Sequence, residues 1–403
     1  MIYEKTFDNV FDAMNFLMHL EQILYAKDIQ RQQVIKDVKG GFIFDLDFPL
    51  SGYFNDAKED EFILSRLCSQ RYVLKPNLRG RKLLYRGQRA FYDECKPSLF
   101  RVKGKDYFLD DCIKSQELLL LLLSHPLVQL LDLGVDLGSG NMRFEMNLYG
   151  LAQHYYCATS LLDLTSDPNV AIFFATTNYD KDTDTYSPVM DESKEGVLYA
   201  FELTDIEKDF KNNGLRSIGQ QIFPRSGCQR GFLYEFEKED NFNNFPNVHI
   251  IKFKHKAEVS KKFYDYHLGG KRLFPDDILS KHWKEYNNDK KVISNRALDL
   301  NARENPSTPK MQLQSELNDL GFVLKDYKPT FTPDELSEYY QDIKNGFWEE
   351  WVSKIHLPQE LRNRLLSVEK HPDYQWAFKP EIKFNVPYNK GYLLNHYSRF
   401  LMC

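Results

Sequence analysis

Three short stretches of this sequence gather side chains able to hold an anion or move a proton. The first is Tyr85-Arg86-Gly87-Gln88, where a guanidinium stands beside a glycine that admits close approach to the backbone. A forked guanidinium there suits phosphate or carboxylate. The second is Gln153-His154-Tyr155, followed by Thr159, Ser160, Asp163 and Thr165. It places an amide, an imidazole, hydroxyls and a carboxylate just ahead of a predicted helix start, whose free amides and dipole favour negative charge. The third is Arg225-Ser-Gly-Cys-Gln-Arg-Gly-Phe232, which carries Cys228 and Gln229 between two glycines. Each has a plain structural alternative. Arg86 can satisfy carbonyls at a strand end, Asp163 and Thr165 can cap the following helix, and His154 can be a hydrogen-bonded core residue. The third stretch by itself is a turn. Basic neighbours can lower the Cys228 thiol pKa, yet no histidine adjoins it, so a thiol nucleophile is the minor reading.

The elements that must position these residues follow from apolar spacing. Phe11, Met14, Phe16, Leu17, Leu20, Ile23 and Leu24 predict an amphipathic helix over residues 1–35, and 40–75 reads as a connecting or capping region. Residues 81–88 read as a short buried strand ending in a polar turn, and 96–101 as a second turn. The leucine-rich run 109–133 predicts a core helix interrupted at Pro126. Helical spacing resumes over 144–153. Ser166 or Asp167 can cap a helix whose first position is Pro168 and whose buried face includes Val170, Phe173 and Phe174. The acid-rich stretch 178–195 reads as a surface loop. Strands are expected at 196–203, 231–236 and 248–253, with mostly helical chain from Lys256 and a linker over 288–310. Helices early and strands later indicate an α+β fold.

Composition narrows the function classes. The chain has 403 residues, 42% hydrophobic and 14% aromatic, which excludes wholesale disorder and rod-like folds. With 53 Lys+Arg against 58 Asp+Glu and a net charge of -5, it lacks the basic face of a nucleic-acid binder. The N-terminus lacks the order of a secretion signal, and the apolar run Leu118–Leu123 is far short of the roughly 20 residues that span a bilayer. A soluble, cytoplasmic protein without membrane contact is expected. Six scattered cysteines with no Cys-x-x-Cys pair point to reduced thiols, and the ten histidines show no metal-ligand spacing, so no metal is predicted. Gly269-Gly270-Lys271 lacks the rest of a phosphate loop, and the other common nucleotide and hydrolase signatures are missing.

Taken in order, Tyr-Arg-Gly-Gln at 85–88, Lys-Pro-Ser-Leu-Phe-Arg at 96–101, Gln-His-Tyr at 153–155, Thr-x-Leu-Leu-Asp-x-Thr at 159–165 and Pro-x-Val-Ala-x-Phe-Phe-Ala at 168–175 resemble the FRG domain. Gln229-x-Gly231-Phe232 and Leu273-Phe274-Pro275-Asp276 extend that pattern. The resemblance implies an N-terminal helical or capping region at 1–79, an FRG domain at 80–285 and a mainly helical region at 286–403. Ala158 stands where the family usually has proline, and Ser160 where an arginine is common. A more distant similarity, to the ADP-ribosyltransferase fold, implies a mixed or antiparallel central sheet around an NAD site. Arg86 matches its strand arginine and Thr159-Ser160 its Ser/Thr strand, while Gln229 occupies the place of its carboxylate.

Together these resemblances imply a nucleotide pocket with NAD as substrate, acting as NAD glycohydrolase or ADP-ribosyl transferase, in a bacterial defence or toxin-like setting. In that reading Arg86, Gln88, Gln153, Thr159, Ser160 and Thr165 bind the nucleotide, and His154, Asp163 and Gln229 act at the anomeric carbon. The alternative is a non-catalytic ligand-sensing or interaction module, whose C-terminal helices bind a protein partner.

Overall fold

The computed structural model describes residues 2–39, 57–66, 71–78, 81–101, 109–138, 140–155, 157–180, 183–203, 214–282, 291–304 and 306–382. The elements around the candidate residues are β1 (Glu4–Phe7), α1 (Val10–Lys39), β2 (Leu83–Gln88), α2 (Leu109–Leu122), α3 (Pro126–Leu133), α4 (Leu148–His154), β3 (Leu161–Thr165), α5 (Pro168–Thr176), β4 (Glu195–Glu202), β5 (Leu215–Ser217), β6 (Gly231–Glu235), β7 (Val248–Lys254) and α6 (Ala257–Tyr266). The fold is α+β, around a mixed seven-stranded sheet in the order β1-β7-β4-β2-β3-β6-β5. Only the β1–β7 pair at one edge is parallel; every other neighbouring pair is antiparallel.

The sheet is buried on both faces, which is why β4 reads Val-Leu-Tyr-Ala-Phe without polar alternation. On one face Leu83, Tyr85, Leu198, Ala200 and Ile251 pack under α1 and α5, meeting Val10, Ala13, Met14, Leu17 and Leu20 of α1. Those α1 positions recur at helical spacing, so one stripe of that helix is apolar. On the other face Leu84, Leu162, Leu164, Tyr199 and Phe201 pack with Phe236 and Phe242. Leu161 and Leu233, at the β3–β6 end, join a larger core built from α2, α3 and α4 together with the C-terminal helices.

Helix α5 lies close on β2 because Gly87 has no side chain. A Cβ there would come within 1.7 Å of the Ala171 carbonyl oxygen and 2.8 Å of the Ala175 nitrogen. The helix begins as its sequence demands: Asp167 accepts from the Asn169 N–H at 2.8 Å, and Pro168 fills the first position, where an amide is not needed. Helix α1 is fastened to the start of β2 by Glu21, a buried carboxylate that accepts from the N–H groups of Lys82 at 2.7 Å and Leu83 at 3.0 Å and from the Tyr85 hydroxyl at 3.2 Å.

Several elements differ from the sequence reading. The first segment opens with β1, which completes the sheet edge, before α1 begins. The region expected to connect or cap contains the antiparallel strands Phe62–Arg66 and Tyr72–Pro76, extended by Ile355–His356 from the C-terminal part, so the first and last thirds of the chain share a small sheet. The acid-rich stretch forms a hairpin of Thr177–Asp180 with Thr185–Pro188, and the expected linker holds strand Val292–Ser294 and helix Asn295–Glu304. Each of these short strands lacks the run length that makes a strand visible in sequence. Residues 40–56, within the expected connecting region, and the last residues, 383–403, lie outside the described residues.

Among the described residues no single helix is long and apolar enough to cross a membrane. Helices α2 and α3 together pass that test of length and composition, but they bend by 83° at Pro126 and their leucines line the core. Replacing Gly87 by alanine forces α5 off β2. The Gly87→Ala protein is expected to lose at least about 2 kcal/mol in urea denaturation, the scale of overpacking in a filled core.

Candidate functional site

The middle of the sheet is almost open. Strand β2 pairs with β4 along its whole length, and β3 pairs with β6 along its whole length, but β2 and β3 meet through one residue pair, Tyr85 with Thr165. Beyond that pair, Arg86, Gly87 and Gln88 form one lip of a split and the residues from Leu161 to Leu164 form the other. Because successive strand side chains alternate, Arg86 and Gln88 share the face of Tyr199, while Asp163 points to the side of α4.

The two lips are bridged by Arg86, whose Nη1 donates to the backbone oxygen of Asp163 at 2.9 Å. The Asp163 carboxylate is held from the other side: Gln153 Nε2 donates to Asp163 Oδ2 at 2.8 Å, and the Thr159 hydroxyl donates to Gln153 Oε1 at 2.5 Å. Both ends of the Gln153 amide are therefore engaged, which fixes its orientation and that of the carboxylate. Asp163 Oδ1 remains without a hydrogen bond, as do Arg86 Nε and Gln88 Oε1, while the Tyr199 hydroxyl lies against the Cys95 thiol. Tyr199 stands directly opposite Arg86 in the β2–β4 register, and burial raises its pKa, so the phenol keeps its proton. Three unmet polar atoms therefore gather around one split, where each can take a further polar partner.

His154 follows Gln153 on α4 and lies with its Nε2 3.9 Å from Asp163 Oδ1, too far for a hydrogen bond. Burial lowers its pKa, against the pull of the Asp163 carboxylate, so the imidazole is neutral at neutral pH. Arg101 joins the group. The backbone N–H of Leu99 donates to Thr159 O and the backbone N–H of Thr159 to Ser98 Oγ, both at 3.3 Å, which lays residues 96–101 beside the second lip. Burial and the neighbouring Arg86 charge both lower the Arg101 pKa, while Asp163 raises it, although one face of the side chain stays exposed. Two guanidiniums against one carboxylate leave the site net positive. In the sequence, residues 96–101 read as a turn and as a motif of the FRG resemblance without assigning Arg101 to the site, and its place at the end of that motif is the signal for it.

The structure thus brings Arg86, Gln88, Gln153, His154, Thr159 and Asp163 together, with the Gln229 side chain reaching His154, while the main hydrogen bonds of Ser160, Thr165 and Gln229 go into the chain. Ser160 turns to Tyr149, its hydroxyl 3.4 Å from the phenol oxygen and its N–H donating to that oxygen at 3.2 Å. The Thr165 hydroxyl donates to the backbone oxygen of Gln229 at 2.7 Å and accepts from the Asp167 N–H at 3.0 Å. Gln229 donates its amide to Leu273 O at 3.1 Å. These three hold the β3–α5 turn and the chain around 229 and 273 in place. The start of α5 takes its cap from Asp167, and the open polar atoms lie farther back along β2 and β3. Cys228 is exposed, and partial burial of its sulfur raises the thiol pKa despite the charge of Lys354, so the basic neighbours do not activate it. Cys95, Cys112 and Cys157 are buried and form no disulfide among the described residues. Among the described residues no three His, Cys, Asp or Glu side chains gather as metal ligands do.

The sequence model of the FRG domain matches residues 81–184, which hold β2, α4, β3 and α5 and with them Arg86, Gln88, Arg101, Gln153, His154, Thr159 and Asp163, though not Tyr199. The chain carries an FRG domain. The match ends short of the expected boundary at 285, yet the structure adds two strands from beyond it, β4 and β6, that clasp the FRG strands on either side. No curated protein and no solved structure matches the chain.

The neutral His154 gives the FRG site a pH signature. A histidine whose folded pKa lies below the usual 6.5 makes the unfolded state the better proton acceptor, so folding stability falls as pH drops below about 6.5, by up to roughly 1.4 kcal/mol per unit. The His154→Gln protein lacks this contribution. Urea denaturation at pH 7 and pH 5 should therefore show the gap between wild type and variant closing on the acid side.

Proposed function

We propose that the split between β2 and β3 binds an NAD-type dinucleotide and that Asp163 assists cleavage of its bond from ribose to nicotinamide. The observation that carries this reading is the pairing of Arg86 and Asp163 across the split, each held by one hydrogen bond and each with a further polar atom free. A guanidinium with an open N–H suits a phosphate oxygen. A carboxylate fixed on one oxygen and free on the other suits a ribose hydroxyl or the positive charge that develops at the anomeric carbon. Gln229, whose amide is engaged by Leu273, leaves that charge to Asp163. In hydrolysis the water oxygen bonds to the anomeric carbon, the bond to nicotinamide breaks, and the water proton leaves to solvent or to the neutral His154 ring. In transfer, a hydroxyl, guanidinium or carboxylate of a target replaces water. A bacterial defence or toxin-like setting belongs to the same proposal.

The second reading, a ligand-sensing module whose C-terminal helices meet a protein partner, is favoured by the burial of His154 and Gln229, at 7% and 6% exposure. Binding requires only the free atoms of the split, and no chemistry.

Incubating the full chain with NAD and separating products by chromatography tests both. Cleavage predicts released nicotinamide, with Arg86→Ala and Asp163→Asn each lowering the rate by at least about 100-fold, as loss of a preorganised electrostatic contact does. Thermal stabilisation by NAD without any product supports the sensing reading, since a ligand of the native state raises apparent stability. If NAD yields no product and gives no thermal stabilisation, the nucleotide assignment is overturned.

A further inference from the structure

A nucleotide in the split needs a surface for its flat ring, and helix α5 supplies one that sequence reading placed in the core. From Val170 to Thr176 every residue is buried except Phe174, which stays half-exposed. Its position on the helix is informative. Ala171 and Ala175 are the residues pressed against Gly87, and Phe174 lies one turn on from Ala171, on the adjoining flank beside β2. Two neighbours show which flank. Ile172 packs towards α1, β4 and β7, whereas Phe174 meets Phe274, ring centroids 6.0 Å apart and planes at 87°.

Phe274 belongs to a chain segment tied to the other side of the split. Leu273 O accepts from the Gln229 amide, and the Asp277 carboxylate accepts from the hydroxyl of Tyr155, the residue next to His154 at the end of α4. Tyr186 backs Phe274 at 5.1 Å in a stacked arrangement. Phe174, Tyr186 and Phe274 are all half-buried, so this corner, with Phe174 edge-on to Phe274, keeps part of its aromatic surface open to solvent. A planar heterocycle can lie on one ring and meet the other edge-on, a favoured aromatic geometry.

We propose that Phe174, with Phe274 beside it, is the aromatic wall that receives the planar base of the ligand, making it a specificity-determining residue of the FRG site; this rests on the nucleotide reading above. Arg86 and Asp163 recognise phosphate and ribose, which many metabolites share. The aromatic corner selects those that also carry a flat ring.

The test is calorimetric titration of the full chain with two probes, ADP-ribose, which carries adenine, and ribose 5-phosphate, which does not. The Phe174→Leu protein keeps apolar volume and is expected to lose about tenfold in affinity for ADP-ribose while holding ribose 5-phosphate within about twofold of wild type. Phe174→Tyr should retain both affinities, and Phe274→Leu should repeat the selective loss if Phe174→Leu folds poorly by circular dichroism. Equal weakening of both probes, or of neither, overturns the aromatic wall and leaves the nucleotide site standing. Failure of the wild-type chain to bind either probe overturns both.

Discussion

Two half-sheets joined by the single pair Tyr85–Thr165 set the terms for everything else in this protein. A continuous sheet would pair the inner edges of β2 and β3 and leave no room for a ligand. Here the backbone of each strand is paired on its outer side, with β4 and with β6, so the inner edges can part without unravelling the sheet. What keeps them at a fixed separation is side-chain chemistry: the Arg86 guanidinium spans the split, and the chain from Thr159 through Gln153 to Asp163 stiffens the far lip.

That arrangement has to be supported from outside, because a split sheet has lost hydrogen bonds across its middle. The support comes from helices. Glu21 of α1 ties down the first residues of β2, and α5 lies close on Gly87, so β2 is held at its start and near its end. On the other half, α4 presses Gln153 and His154 against Asp163, and the segment from Leu273 to Asp277 is anchored to Gln229 and Tyr155. The N-terminal and C-terminal parts of the chain contribute directly to this frame, since β1 completes the sheet edge and Ile355–His356 pairs with Phe62–Ile63.

The same constraints sort the polar residues into two kinds. Ser160, Thr165 and Gln229 direct their hydrogen bonds into the chain and so build the turn between β3 and α5 and the chain beside it. Arg86, Gln88 and Asp163 instead keep a polar atom each without a partner beside the split.

The sequence by itself determined the α+β class, a short strand within 81–88, the break at Pro126, the helix start at Pro168 with Ser166 or Asp167 as its cap and the FRG motifs, because each is written in local chemistry: short apolar runs, caps and prolines act over a few residues. It also named Arg86, Gln153, His154 and Asp163 as one group. Only the tertiary structure decided that Gln153 orients a carboxylate, that Gln229 serves Leu273, that Arg101 belongs with Arg86, and that Phe174 stays half-exposed beside Phe274. Those outcomes depend on which strands lie side by side, and a sheet in which β2 sits between β4 and β3 joins residues about a hundred positions apart. Spacing along the chain carries no record of such contacts, since register and face are fixed by packing across the sheet.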